Sequence, residues 1–184
     1  VTEQIDKGVE QRGRARLVFY GPFQFDLEHR AVLQAMAGGL GALLRSLLRD
    51  LLGGTYSVNV GAAFEKIPVP TYQVFIDFTC DPAKTEEFVD RVVAIVQRFK
   101  QVPFPAQLLA DMKTGVRRSF ETNSQQNGYL LVQLSTAYGL GDPLSAVFRS
   151  PDITDAITTQ AIEEAARQYL DPSRYIKVTM FPAR

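Results

Sequence analysis

The stretch Phe25-Asp26-Leu27-Glu28-His29-Arg30 holds the letters of a metal site with one letter changed. In the zinc-binding pattern H-x-x-E-H, two histidines and a glutamate share one helix, and the glutamate activates the metal-bound water. Here Glu28 and His29 are in place, and Phe25 stands where the first histidine belongs. A catalytic zinc takes at least three protein ligands. This segment offers one imidazole and one carboxylate, so it reads as a polar pair in the first turn of a helix. His29 is the only histidine and Cys80 the only cysteine, which excludes a multi-histidine centre, a disulfide and a cysteine-based zinc site within the chain. No metal site is expected here.

Other chemistry-bearing groups read the same way. No serine or cysteine stands in an activating context for nucleophilic catalysis, and Cys80 ends an apolar strand face, as a small buried residue does. Glu86-Glu87 and Glu163-Glu164 are paired carboxylates. Neighbours on a helix point in different directions, so both pairs read as solvated faces. Neither "GGLG" nor "GLGD" has the lysine of a phosphate-binding loop. Arg117-Arg118 is an isolated basic pair.

One constellation stands out. In "LRDLLGGTYSVNVG" (48–61), Arg49 falls in the last turn of a long helix and Tyr56 opens the strand that follows the glycine turn Gly53-Gly54. Helix-end dipole and strand propensity each explain one of these residues without a function. A tight turn can nevertheless bring the two ends together. A guanidinium and a phenol would then project from one edge, suited to holding a carbonyl oxygen or an oxyanion.

The elements that must carry these groups follow from periodicity. "RARLVFY" (14–20) is β-prone. Asp26 is a good N-cap, with Glu28 at the positive end of a helix over residues 26–52. Its apolar stripe runs Leu33, Met36, Leu40, Leu43, Leu44, Leu47, Leu51, and Gly38, Gly39 and Gly41 weaken its middle enough to kink or break it. Two strands follow, with Tyr56, Val58, Val60, Ala62 and Phe64 on one face of the first and Tyr72, Val74, Ile76, Phe78 and Cys80 on one face of the second. Asp81 and Pro82 start another helix. Helical sequence from about 105 to 138 splits near Asn127-Gly128, and "GLGDP" (139–143) reads as a loop. Thr158 or Thr159 caps a helix with Ile162, Ala165, Ala166 and Tyr169 inward, and "RYIKVTMFP" is a last strand. The pattern is α+β: an antiparallel sheet packed with several helices, in one domain over residues 1–184.

The totals restrict partners. Twenty basic and twenty acidic side chains cancel, which gives no electrostatic reason for nucleic acid or an acidic membrane. The apolar run 31–44 is shorter than the ~20 residues a membrane span needs, so no insertion is expected. The chain opens without methionine or an apolar leader, and its termini read as cut from a longer protein or processed.

"LRDLLGGTYSV" resembles the Arg-x6-Tyr motif in the C-terminal half of pitrilysin/insulinase-type zinc metallopeptidases, the inverted-motif zincins. "RLVFYGPF", "YQVFIDFTCDPAKTEEFVDRVVAIVQ", "ETNSQQNGYLLVQL", "YGLGDPL" and "AARQYLDPSRYIKVTMFP" match the style and order of that family's last domain. The resemblance implies the last, non-catalytic domain of a longer metalloendopeptidase, closing a proteolytic chamber. Arg49 and Tyr56 would bind substrate and the developing oxyanion, with Gly53 and Gly54 placing them. Zinc would belong to a missing N-terminal catalytic domain. Partners would be the other domains or a homologous subunit, and a peptide substrate. The alternative is part of a catalytically silent scaffold subunit in a heterodimeric, processing-peptidase-like complex. Residues 50–52 depart from the usual acidic stretch. A cytoplasmic location and a bacterial periplasmic or envelope location are both compatible.

Overall fold

The computed structural model describes residues 1–7, 11–52 and 57–183, without the side chains of residues 49–52. The strands are β1 (Thr2–Asp6), β2 (Gly13–Pro22), β3 (Val58–Glu65), β4 (Thr71–Cys80) and β5 (Tyr175–Phe181). The α-helices are α1 (Leu27–Leu52), α2 (Thr85–Phe99), α3 (Ala106–Asn123), α4 (Asn127–Leu140), α5 (Ser150–Asp155) and α6 (Thr159–Tyr169). Two 3-10 segments, Pro82–Lys84 and Leu144–Arg149, precede α2 and α5.

The sheet order is β1-β5-β2-β4-β3. β2 pairs antiparallel with β4 and β5, and β3 pairs antiparallel with β4. β1 runs parallel to β5, from Thr2 opposite Lys177 to Asp6 opposite Phe181, so the sheet carries one parallel pair beyond the expected antiparallel set. The α+β reading holds. Strand alternation turns Ala15, Leu17 and Phe19 of β2 and Tyr72, Val74, Ile76, Phe78 and Cys80 of β4 towards the helices. The opposite face carries Arg14 and Arg16, which pair with Asp77 at 3.4 and 3.7 Å; Arg16 also lies 4.9 Å over the ring of Phe75.

α1 is the central core helix. Leu33, Met36, Leu40, Leu44 and Leu48 are at most 1% exposed. Asp26 caps it as expected, Oδ1 accepting from the backbone N–H of His29 at 2.8 Å. The glycines do not break it; they admit neighbours. An added Cβ at Gly39 would lie 2.6 Å from Phe104 Cζ, and one at Gly41 would lie 3.3 Å from Val60 Cβ. Residues 27–48 are also long and apolar enough to cross a membrane by length and composition, with mean hydropathy 1.4, so the length of the run 31–44 does not by itself decide the matter. In this fold their apolar side is the floor of the sheet.

Asp81 accepts from the Ala83 N–H and Pro82 follows it, but the first turn is 3-10 before α2 begins. α3 and α4 part at Ser124–Gln126, just ahead of Asn127-Gly128, where Gln126 turns extended and its N–H donates to the Asn123 carbonyl at 2.9 Å. The expected loop at 139–143 begins later. α4 runs to Leu140 and stops at Gly141, whose φ of 70° favours glycine. Thr158 caps α6, and Ile162, Ala165, Ala166 and Tyr169 are buried, as the pattern requires.

Candidate functional site

The end of α1 and the start of β3 form the stretch that the sequence singles out. α1 packs along β3, with Gly41 facing Val60. From that crossing, eight residues of helix climb ~12 Å to position 49. Three residues of strand cover ~10 Å back to Ser57. The last turn of α1 and the first residue before β3 therefore lie level at one end of the domain, at the side of the sheet where β3 is the edge strand.

At that end the strand is anchored. The Thr79 N–H donates to the Ser57 carbonyl at 3.2 Å, and the two hydroxyls meet at 3.0 Å. An open recess of about 630 Å³ begins beside Thr79, lined by Gln11, Arg12, Cys80 and the Asp81–Ala83 turn. Arg45, one turn before Arg49, holds its guanidinium beside Gly41. Arg49 belongs to the last turn of α1, but its side chain lies outside the described residues, as do Gly53, Gly54 and Tyr56 altogether.

Glu28 and His29 occupy the other end. Twenty residues of helix separate His29 from Arg49, or ~30 Å, so the two constellations cannot act on one substrate atom. His29 Nδ1 lies 2.8 Å from Asp26 Oδ1, and Glu28 is exposed. Burial pushes the Asp26 carboxyl up, but hydrogen bonds from the His29 N–H, the His29 ring and Gln24 outweigh it and leave Asp26 below its ordinary value. Among the described residues no three His, Cys, Asp or Glu side chains come together to hold a metal ion, so the described residues do not fit a zinc. Cys80 is 4% exposed; burial pushes its thiol up, away from a reactive thiolate, and its Sγ donates to Thr85 Oγ1 at 3.4 Å.

Two polar contacts were not legible in the sequence. Glu163, read as solvated, accepts from the Phe104 N–H at 2.9 Å and fixes the α2–α3 link over α6. Arg30 pairs with Asp142 at 2.5 Å, with side chains 13% and 15% exposed, tying the start of α1 to the end of α4. Both join residues far apart in the chain, and local patterning carries no signal of either.

No family model and no curated protein matches the chain by sequence. Solved structures do match in shape. The periplasmic protease PqqL from Escherichia coli superposes with a TM-score of 0.83 at 19% identity, over 98% of this chain and 20% of its own. A peptidase M16 inactive domain from Pseudomonas fluorescens gives 0.79 at 17% identity, over 100% of this chain and 43% of its own. The chain has the fold of an M16 peptidase domain. The inactive peptidase domain of a putative zinc protease from Bordetella parapertussis gives a TM-score of 0.78 at 15% identity, over 97% of this chain and 95% of its own. Against the PqqL and Pseudomonas structures the M16-type domain spans between a fifth and less than half of the matched chain.

Proposed function

We propose that this M16-type domain is the C-terminal, non-catalytic domain of a zinc metalloendopeptidase of the pitrilysin/insulinase type. It would help close the proteolytic chamber and contribute Arg49 and Tyr56 to the substrate. One observation carries the reading: the Arg-x6-Tyr spacing spans the junction between the last turn of α1 and the edge strand β3, within an M16 fold that has no metal-holding cluster among its described residues.

The chemistry assigned to this chain is hydrogen bonding. A zinc held in another domain would supply the activated water that attacks the peptide carbonyl. Tyr56 would donate its phenol O–H, and Arg49 its guanidinium N–H groups, to the peptide backbone and to the oxyanion that forms on it. Both are donors that hold no proton the reaction consumes, so their work is charge stabilisation. Gly53 and Gly54 would let the chain turn tightly enough to aim them together.

In the complete protein, Tyr56→Phe removes one donor and is expected to lower kcat at least about tenfold, since such donors are worth ~10²–10³ in turnover. Steady-state peptide hydrolysis checks this, and unchanged turnover would remove Tyr56 from the site.

The second reading is a catalytically silent subunit that completes the site of a homologous partner. The match to domains described as inactive favours it to the same degree. The complete reading frame separates the two: H-x-x-E-H with a more distant glutamate in the same polypeptide supports the single-chain enzyme, and its absence supports the partner subunit.

A further inference from the structure

Helices α1, α3, α4 and α5 and the end of β3 meet around a cleft of about 380 Å³. α1 gives it Ala31 and Ala35, one turn apart on one side of the helix, and the 3-10 segment before α5 gives it Ala146. Elsewhere α1 meets its neighbours with Leu33, Leu40 and Leu44. Three methyl groups in place of longer side chains leave the space unfilled. The apolar part of the wall is Phe64 of β3, Leu109 and Met112 of α3, and Ile157 just beyond α5. The volume is more than twice the ~150 Å³ that holds a benzene molecule, and it falls within the range of small-molecule sites.

Polar groups converge on the same space. α1 brings Gln34, α4 brings Gln133 and α5 brings Ser150, and none of these three side chains has a protein partner among the described residues. Gln133 and Ser150 are half-buried. An amide or hydroxyl in that position is costly unless something in the cleft bonds to it. Among the described residues that line the cleft, Arg30 alone is charged. Its Nε donates to the Asp26 carbonyl at 3.1 Å and its Nη2 to Asp142 at 2.5 Å, so the charge is already matched. Nη1 has no acceptor among the described residues. The walls are also set beforehand. Lys113 of α3 donates to the Asp155 carbonyl at the end of α5 at 2.7 Å, Arg117 pairs with the Asp155 carboxylate, and Arg30 with Asp142 ties α1 to the end of α4. Such preorganisation lowers the entropic cost of binding.

We infer that this cleft binds a small uncharged molecule with an apolar body and an amide head. The alanine, phenylalanine, leucine and methionine wall takes the body. The carbonyl oxygen of the head accepts from Arg30 Nη1 or a glutamine NH2, and its N–H donates to a glutamine carbonyl or the Ser150 hydroxyl. A carboxylate would give up its hydration for a guanidinium that Asp142 already holds. An ammonium would enter beside a positive charge. The neutral head meets neither cost. Nothing in the cleft depends on the peptidase reading.

The test is an NMR titration of the complete protein, isotope-labelled at its methionine methyls, with N-acetyl-phenylalaninamide. Met112 lines the cleft, whereas Met180 belongs to β5. The Met112 signal, assigned by its loss in Met112→Leu, is expected to shift and to saturate with a Kd of about 1 mM or tighter, which a ligand of this size can reach. N-acetyl-phenylalanine, a carboxylate, and phenylalaninamide, an ammonium, are expected to bind at least about tenfold more weakly. Ala31→Leu fills the cleft from α1, and Gln133→Leu removes one amide from α4. Each should weaken binding of the neutral probe at least about tenfold, with an unchanged Met180 signal showing that the domain is folded. No saturable shift up to about 10 mM, or equal affinity for all three probes, would overturn the inference. Undiminished binding in either folded variant would overturn it as well.

Discussion

Asp26 shows how much a single side chain can do without touching a substrate. Its carboxylate caps α1, orients His29 and accepts from Gln24. Asp26→Ala should therefore cost about 1 kcal/mol of stability, the usual worth of an N-cap, measured by urea unfolding. The pH dependence follows from the lowered carboxyl of the folded state. Its contribution is complete above the ordinary carboxylate range and disappears as pH falls through the depressed folded value. The stability gap between the protein and Asp26→Ala should thus narrow on acidification; a gap unchanged down to pH 3 would contradict the assignment. The cap was legible because a capping residue lies next to the turn it serves. Glu163 was not, because its partner Phe104 belongs to another part of the chain.

Among the elements, α1 was read correctly in extent and wrongly in continuity. Glycine weakens a helix by about 1 kcal/mol relative to alanine, and three of them suggested a kink. Packing reverses that reading, because Phe104 and Val60 occupy the space beside Gly39 and Gly41. Gly39→Ala should gain ~1 kcal/mol of helix propensity and lose ~1–3 kcal/mol to overpacking against a buried ring, for a net loss. Gly115 of α3 has nothing within reach of an added Cβ, so Gly115→Ala should stabilise by up to ~1 kcal/mol. Thermal unfolding of the two variants should move in opposite directions. Two shifts of the same sign would mean that propensity or packing alone governs both helices.

For the whole molecule, the strands with one buried face were visible as alternation, while β1 was not. All five β1 residues are exposed, so no pattern marks them, and backbone pairing with β5 alone recruits the strand. The short helical turns after α4 were hidden for a related reason, since Leu144 to Asp155 gives too few turns to show a period. The candidate site is a reading from sequence: Arg49 and Tyr56 stand out by residue type and by the Gly53-Gly54 pair between them, and the Arg49 side chain and Tyr56 lie outside the described residues. What the molecule adds is that α1 packs on the edge strand β3, with Gly41 facing Val60.

The central claim is that these two donors serve one oxygen. A double-mutant cycle in the complete protein, using Arg49→Lys, Tyr56→Phe and the pair with kcat/KM for peptide hydrolysis as the readout, tests it most directly. Groups acting on a shared centre couple by ~0.5–3 kcal/mol, so the double variant should lose clearly less than the product of the single losses. Single variants with undiminished activity, or losses that simply multiply, would contradict it.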